Sequence, residues 1–403
     1  FPLLVIPHPF YISFPAGVVP PGYFYLPRYV ILGMVALAAL IILLKDRVQV
    51  NHPVFIPLVF FIVFLMISSF LAPIPLTAWI GSPFRFTGAS TYFFCIILFI
   101  LAQTSRKTEQ LLGWLAAAAA VVSVLALLQY FGVNLVPHEP GRAGLIAYGT
   151  MPHPNFLGTY TAFILPAPVL LFGRTKKIPW LVCAALIYAG LLVSLCRNAW
   201  LASLAGFLII VCSVWKKPEQ RKAFLLLCLV FLVVTAALLP ARDGTLLARI
   251  FSVSGELSSG VRLEDDAGTY RLYIWRQAVK LLPQFWAFGI GPDHLIYGHL
   301  VTPIREIADK AHNIYLEILV TMGVFATLSY LAFLSYFLSG WKSGTGFIFF
   351  VMIAVYLVQG FFNIDVVMIM PLFWIVLGLS LAERKKAAAL TSFSQRSGQC
   401  AFL

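Results

Sequence analysis

His312 opens a long apolar run, Ala311-His312-Asn313-Ile314-Tyr315-Leu316-Glu317-Ile318-Leu319-Val320-Thr321-Met322-Gly323, directly after the long polar stretch of the chain. An imidazole at the border between a watery loop and a membrane helix can exchange protons near neutral pH while the spans hold it in place. Two arginines are candidates to work beside it. Arg197 lies in a short turn between two apolar runs, and Arg271 lies in the polar stretch, four residues before Trp275. A guanidinium never loses its charge and grips phosphate oxygens through a planar fork. An imidazole base together with fixed cations suits a reaction in which a hydroxyl loses its proton while a phosphorylated group departs. Flanking arginines would keep the imidazole below its ordinary pKa of about 6.5 and so ready to accept that proton.

The elements that must position these residues are membrane helices. With 61% hydrophobic residues, 11% charged and a mean hydropathy of +0.93, the 403 residues hold too little polar surface to cover a soluble globule. Apolar runs long enough to cross about 30 Å of hydrocarbon fall at 1 to 16, 28 to 44, 53 to 72, 88 to 103, 110 to 130, 155 to 173, 178 to 195, 198 to 215, 222 to 240, 312 to 339, 345 to 363 and 366 to 382. The expected fold is therefore an all-α membrane protein of about twelve transmembrane helices. The first run carries three prolines and His8 and lacks the basic start and small-residue cleavage site of a signal peptide, so none is expected.

Lysine and arginine set the orientation. The turns after even-numbered spans and the tail collect sixteen of them, from Lys45 to Arg396, whereas the opposite short turns hold four: Arg28, Arg85, Arg142 and Arg197. By the positive-inside rule both termini face the cytoplasm and the polar stretch faces outward. The net charge of +13 is a topology signal, since no basic cluster interleaved with aromatics marks a nucleic-acid surface. The expected organisation is 1–240 with spans one to nine, 241–311 as an extracytoplasmic loop domain, 312–386 with spans ten to twelve, and 387–403 as a cytoplasmic tail. Membrane lipids are thus partners, and nucleic acid is not.

Within the loop, Thr269 to Gln284 reads as an amphipathic helix whose Trp275, Ala278, Val279 and Leu282 recur at helical spacing and which would lie along the membrane surface. Pro283 and Gly289-Ile290-Gly291-Pro292 punctuate its end. The Gly-x-Gly has no flanking βαβ unit and is no dinucleotide site. His138, His153, His294 and His299 match no ligand spacing, so no metal site and no cofactor are expected. Glu264, Asp265 and Asp266 read as a solvated cluster, while Glu317 and Asp365, costly near hydrocarbon, call for partners or an aqueous cavity.

Four stretches, in order, resemble the O-antigen ligase and O-antigen polymerase family of bacterial membrane glycosyltransferases, which are of the GT-C type. They are Pro152-His153-Pro154-Asn155-Phe156-Leu157-Gly158, Ser194-Leu195-Cys196-Arg197-Asn198-Ala199-Trp200-Leu201, Arg271-Leu272-Tyr273-Ile274-Trp275 with Gly289-Ile290-Gly291-Pro292, and His312-Asn313 with Gly323. The resemblance runs from about Gly81 to Leu381 and implies metal-independent, inverting transfer of a glycan. The donor would be a polyprenyl (undecaprenyl) diphosphate carrier and the acceptor a hydroxyl of a glycan, lipid or protein, at the outer face of a bacterial inner membrane. It implies His312 as base and Arg197 and Arg271 as the diphosphate cations. Arg85, Arg142, Asn155, Asn313 and Trp275 are further candidates for contact with donor or glycan. Each has a plainer reading: headgroup partners for the arginines, helix caps for the amides, an interfacial anchor for the indole. Where the family often has Ser-Arg-Gly, this chain has Cys196-Arg197-Asn198, and Thr321 stands where an acidic residue is common. A lipid-linked oligosaccharide flippase or secondary transporter is the alternative, but the halves show no internal repeat and the polar candidates gather at the outer boundary.

Overall fold

The computed structural model describes residues 24–83, 85–136, 146–261, 267–303, 305, 307–339 and 344–400, and of 253–261, 267–269 and 391–400 the backbone alone is considered. The first expected span and Arg142 lie outside the described residues. Each later span coincides with a helix: α1 (Leu26–Lys45), α2 (Phe55–Leu71), a short α3 (Pro75–Ile80), α4 (Ala89–Ala102), α5 (Thr108–Tyr130), α6 (Pro154–Ile164), α7 (Pro166–Thr175), α8 (Ile178–Val193), α9 (Arg197–Val214) and α10 (Pro218–Leu238). The loop contributes α11 (Ala241–Val261), α12 (Ala267–Val279) and α13 (Leu282–Phe285), and the chain closes with α14 (Ile314–Ser335), α15 (Gly344–Gly360) and α16 (Met370–Cys400). Among the described residues there is no strand, and six helical stretches are long and apolar enough to cross a membrane.

Proline starts many of these helices. A proline in the first turn surrenders an N–H that has no partner there anyway, as at Pro75, Pro154, Pro166, Pro179 and Pro218. Pro166 also divides the sixth expected span into α6 and α7. Together they are the most enclosed of the six membrane-length stretches and form a central pillar whose N-terminal end carries His153 and Asn155. Around it α5 packs on α8, α14 on α2, and α16 on α4. Trp374, fully buried, stacks near Phe333 and meets Phe99 edge-on. Leu37, Ile41, Ile56, Phe60, Leu225 and Leu232 remain exposed on α1, α2 and α10, the apolar rim that lipid tails would cover.

The loop folds onto this bundle through a small core of Ile274, Ala278, Leu295, Leu300, Ala308, Ala311 and Val320. The helix expected over Thr269 to Gln284 is corrected in two respects. It stops at Val279, and its buried face is Ile274 and Ala278, with Val279 half exposed. Its apolar side is spent on the loop's own core and on α14.

The Gly289-Ile290-Gly291-Pro292 turn and Gly323 belong to one feature. At Gly323 (φ 83°) α14 leaves helical geometry, so the Val324 N–H bonds to the Trp286 carbonyl at 2.8 Å. The freed carbonyls of Val320 and Thr321 accept the N–H groups of Ile290 (3.1 Å) and Gly291 (2.8 Å). A Cβ at Gly323 would run into the Ala287 carbonyl, and one at Gly289 (φ 72°) into the Thr321 peptide. Glycine is thus required on both sides of the crossing.

Candidate active site

His312 is the last but one residue before α14 and sits in the left-handed region, φ 52°. Such a setting strains a non-glycine residue and is common at functional sites. Its neighbour Asn313 is the N-cap, its side-chain oxygen accepting the N–H groups of Tyr315 and Leu316, both at 3.0 Å. That oxygen is committed to capping the helix. The buried Nδ1 of His312 has no hydrogen-bond partner among the described residues. Burial, followed by the Arg271 guanidinium, pushes the imidazole down to about 4, with Asp309 acting the other way.

Arg271, on α12, and Arg197, the first residue of α9, both approach this region. The Arg271 guanidinium reaches the Asn198 side-chain oxygen at 3.5 Å and keeps a buried Nε without a partner. Arg197 donates to the Ser252 hydroxyl at 3.1 Å. Arg249, on α11, was not singled out from the sequence, yet it lies within electrostatic reach of Arg197 and of Arg271. Its Nε donates to the Leu195 carbonyl at 2.9 Å, where Leu195 itself has φ 54°. Three guanidiniums are therefore gathered within electrostatic reach of one another. Gathered like charges repel, and a bound anion would relieve that repulsion.

Beside this cluster a cavity of about 480 Å³ is lined by His153, Asn155, Ser194, Leu195, Arg249 and Ser252, while His312, Arg197 and Arg271 are not among its lining residues. Beside it runs an apolar groove of about 520 Å³ lined by Leu191, Trp200, Leu204, Phe231, Leu232 and Ile250. The two adjoin in sequence at Leu192 with Val193 and at Arg249 with Ile250, one residue of each pair lining each space.

The remaining expected residues are placed as follows. Asn155 lines the cavity, but the cap of α6 is His153, whose Nδ1 accepts the Asn155 N–H at 3.1 Å. Trp275 is a strut, its indole donating to the Ala311 carbonyl at 2.9 Å, with its ring beside Phe362. Arg85 is paired with Asp309 at 2.7 Å and donates to the Tyr25 hydroxyl at 3.1 Å. Through these contacts Arg85 and Trp275 brace the chain leading to His312. The partners sought for the buried acids are present, Lys310 for Glu317 at 3.1 Å and the Tyr356 hydroxyl for Asp365 at 2.5 Å. Among the described residues no three His, Cys, Asp or Glu side chains are grouped as metal ligands.

Residues 181–331, which contain Arg197, Arg249, Arg271 and His312, match the profile of the family described as O-Antigen ligase. Over that stretch, less than half of the chain, the sequence is similar to O-antigen ligases. It is also similar to a protein of Acinetobacter baylyi named General O-oligosaccharyltransferase, with 26% identity over 218 residues. That alignment covers 52% of this chain and 38% of the relative's length. Within residues 181–331 the cations come from three elements, α9, α11 and α12, and the histidine from the entry to α14.

Proposed function

We propose that this protein is a membrane glycosyltransferase that moves a glycan from a polyprenyl diphosphate carrier to an acceptor hydroxyl. The observation that carries the reading is the gathering of three guanidiniums, with Arg271 in electrostatic reach of a His312 whose buried Nδ1 has no partner among the described residues, beside a cavity lined by Arg249 and an apolar groove next to it in sequence. A diphosphate is the anion that a fork of arginines fits, and its isoprenoid tail suits the groove.

The acceptor oxygen attacks the anomeric carbon as the carbon–oxygen bond to the diphosphate breaks. His312 takes the hydroxyl proton, and Arg197, Arg249 and Arg271 hold the negative charge that grows on the departing diphosphate. One displacement inverts the anomeric centre. The name of the Acinetobacter relative, an O-oligosaccharyltransferase, supports a hydroxyl acceptor. The clustering of these side chains at one end of the bundle favours an enzyme over a flippase or transporter, whose polar residues would line a path.

Purified protein mixed with an undecaprenyl diphosphate oligosaccharide and hydroxyl-bearing acceptors should yield glycosylated product and free undecaprenyl diphosphate. His312→Ala should lower turnover by about 10²- to 10⁴-fold, the usual contribution of a general base. Arg249→Gln should weaken donor binding by about tenfold, as expected for one charge-assisted bond. Carrier translocation without transfer would overturn the reading.

A further inference from the structure

An imidazole that serves as base usually has its second nitrogen held by a carboxylate or carbonyl, which fixes tautomer and direction. His312 lacks that on its buried Nδ1. The chain on either side of it is held tightly instead. Asp309 takes Arg85 at 2.7 Å. Lys310, 4% exposed, meets Asp293 at 2.6 Å, Glu317 at 3.1 Å and the Thr87 hydroxyl at 3.0 Å. The Ala311 N–H donates to the other Glu317 oxygen at 2.7 Å, and its carbonyl accepts Trp275. Asp293 in turn receives the Ser82 N–H at 2.6 Å and the Thr87 N–H at 3.3 Å.

We infer that Lys310 is a positioning residue for His312, the buried Asp293, Lys310 and Glu317 cluster standing in for an orienting carboxylate. An ammonium has three donors, and here each finds an oxygen from a separate segment: the turn after α3, the turn after Gly291, and the first turn of α14. These segments surround the His312 peptide. Removing the cation would set two buried carboxylates against each other. Glu317 would then shift, and with it the Ala311 peptide bound to it, so the disturbance reaches the imidazole through one residue of backbone. The inference rests on the reading of His312 as base.

The test is Lys310→Met combined with Glu317→Gln. It removes one charge of each sign, leaves Asp293 its two backbone donors, and keeps an oxygen for the Ala311 N–H. The expected result is a folded protein whose affinity for undecaprenyl diphosphate stays within about threefold while kcat falls by about 10- to 100-fold, the size that a misplacement of about 1 Å produces. Unchanged kcat, or equal losses in affinity and kcat, overturns the inference. Should that variant not fold, Thr87→Val withdraws one oxygen from Lys310 without stranding a charge. Its kcat should drop several-fold and Thr87→Ser should restore it; equal rates for the two overturn the inference. Full transfer by His312→Ala would defeat the base assignment itself, whereas its loss alongside normal kcat in the Lys310 variants defeats the inference alone.

Discussion

At His312 burial and the Arg271 guanidinium act together against protonation, while Asp309 acts for it. A base works when deprotonated, so a folded pKa of about 4 extends its working range toward acid. The pH profile of kcat/KM, which reports the free enzyme, should stay flat down to about pH 5 and fall through an acid limb near 4. The limb of kcat should lie at higher pH, because a bound diphosphate favours the imidazolium. A kcat/KM limb between about 6 and 7 would mean a solvated imidazole. His312, Arg197 and Arg271 were legible because each sits at a border between apolar and polar sequence. Arg249 and Lys310 were not, since they are two of many loop cations, and a single sequence does not show which of them reach a cavity and which are buried. The ion pair of Arg85 was hidden for the same reason, its partner Asp309 being distant in sequence.

Among the elements, α14 carries the tightest backbone requirement. Gly323→Ala places a side chain in a region that L residues avoid and against the Ala287 carbonyl. It should lower stability by about 2–3 kcal/mol or more, read as a fall in thermal midpoint in detergent, whereas Gly173→Ala, which meets nothing within 4 Å, should be neutral or better. Equal midpoints for the two variants would mean that the crossing contributes nothing. Helix positions were readable because hydrocarbon demands long apolar runs, and the expected and observed bounds differ by a few residues except at α16, which runs on to Cys400. What periodicity missed is tertiary. The break at Pro166 was hidden inside one apolar run, and α12 buries Ile274 because the loop has a core of its own to fill.

For the whole molecule, the division of basic residues, sixteen on one expected side and four on the other, gives a testable orientation. With the native cysteines replaced, a cysteine at exposed His299 should react with a membrane-impermeant maleimide in right-side-out vesicles, and one at exposed Lys216 should not. The reverse pattern would turn the cavity toward the cytoplasm and remove it from any outward-facing chemistry. The crossing at Gly323 bears on how the molecule is made. The chain from Trp286 to Gly291 supplies partners to the Val320 and Thr321 carbonyls, the latter also accepting the Ser68 hydroxyl, and bare carbonyls are poorly tolerated in lipid. During synthesis α14 and the loop before it should therefore settle in a single assembly step, a nascent chain halted between them being left unfinished at that crossing.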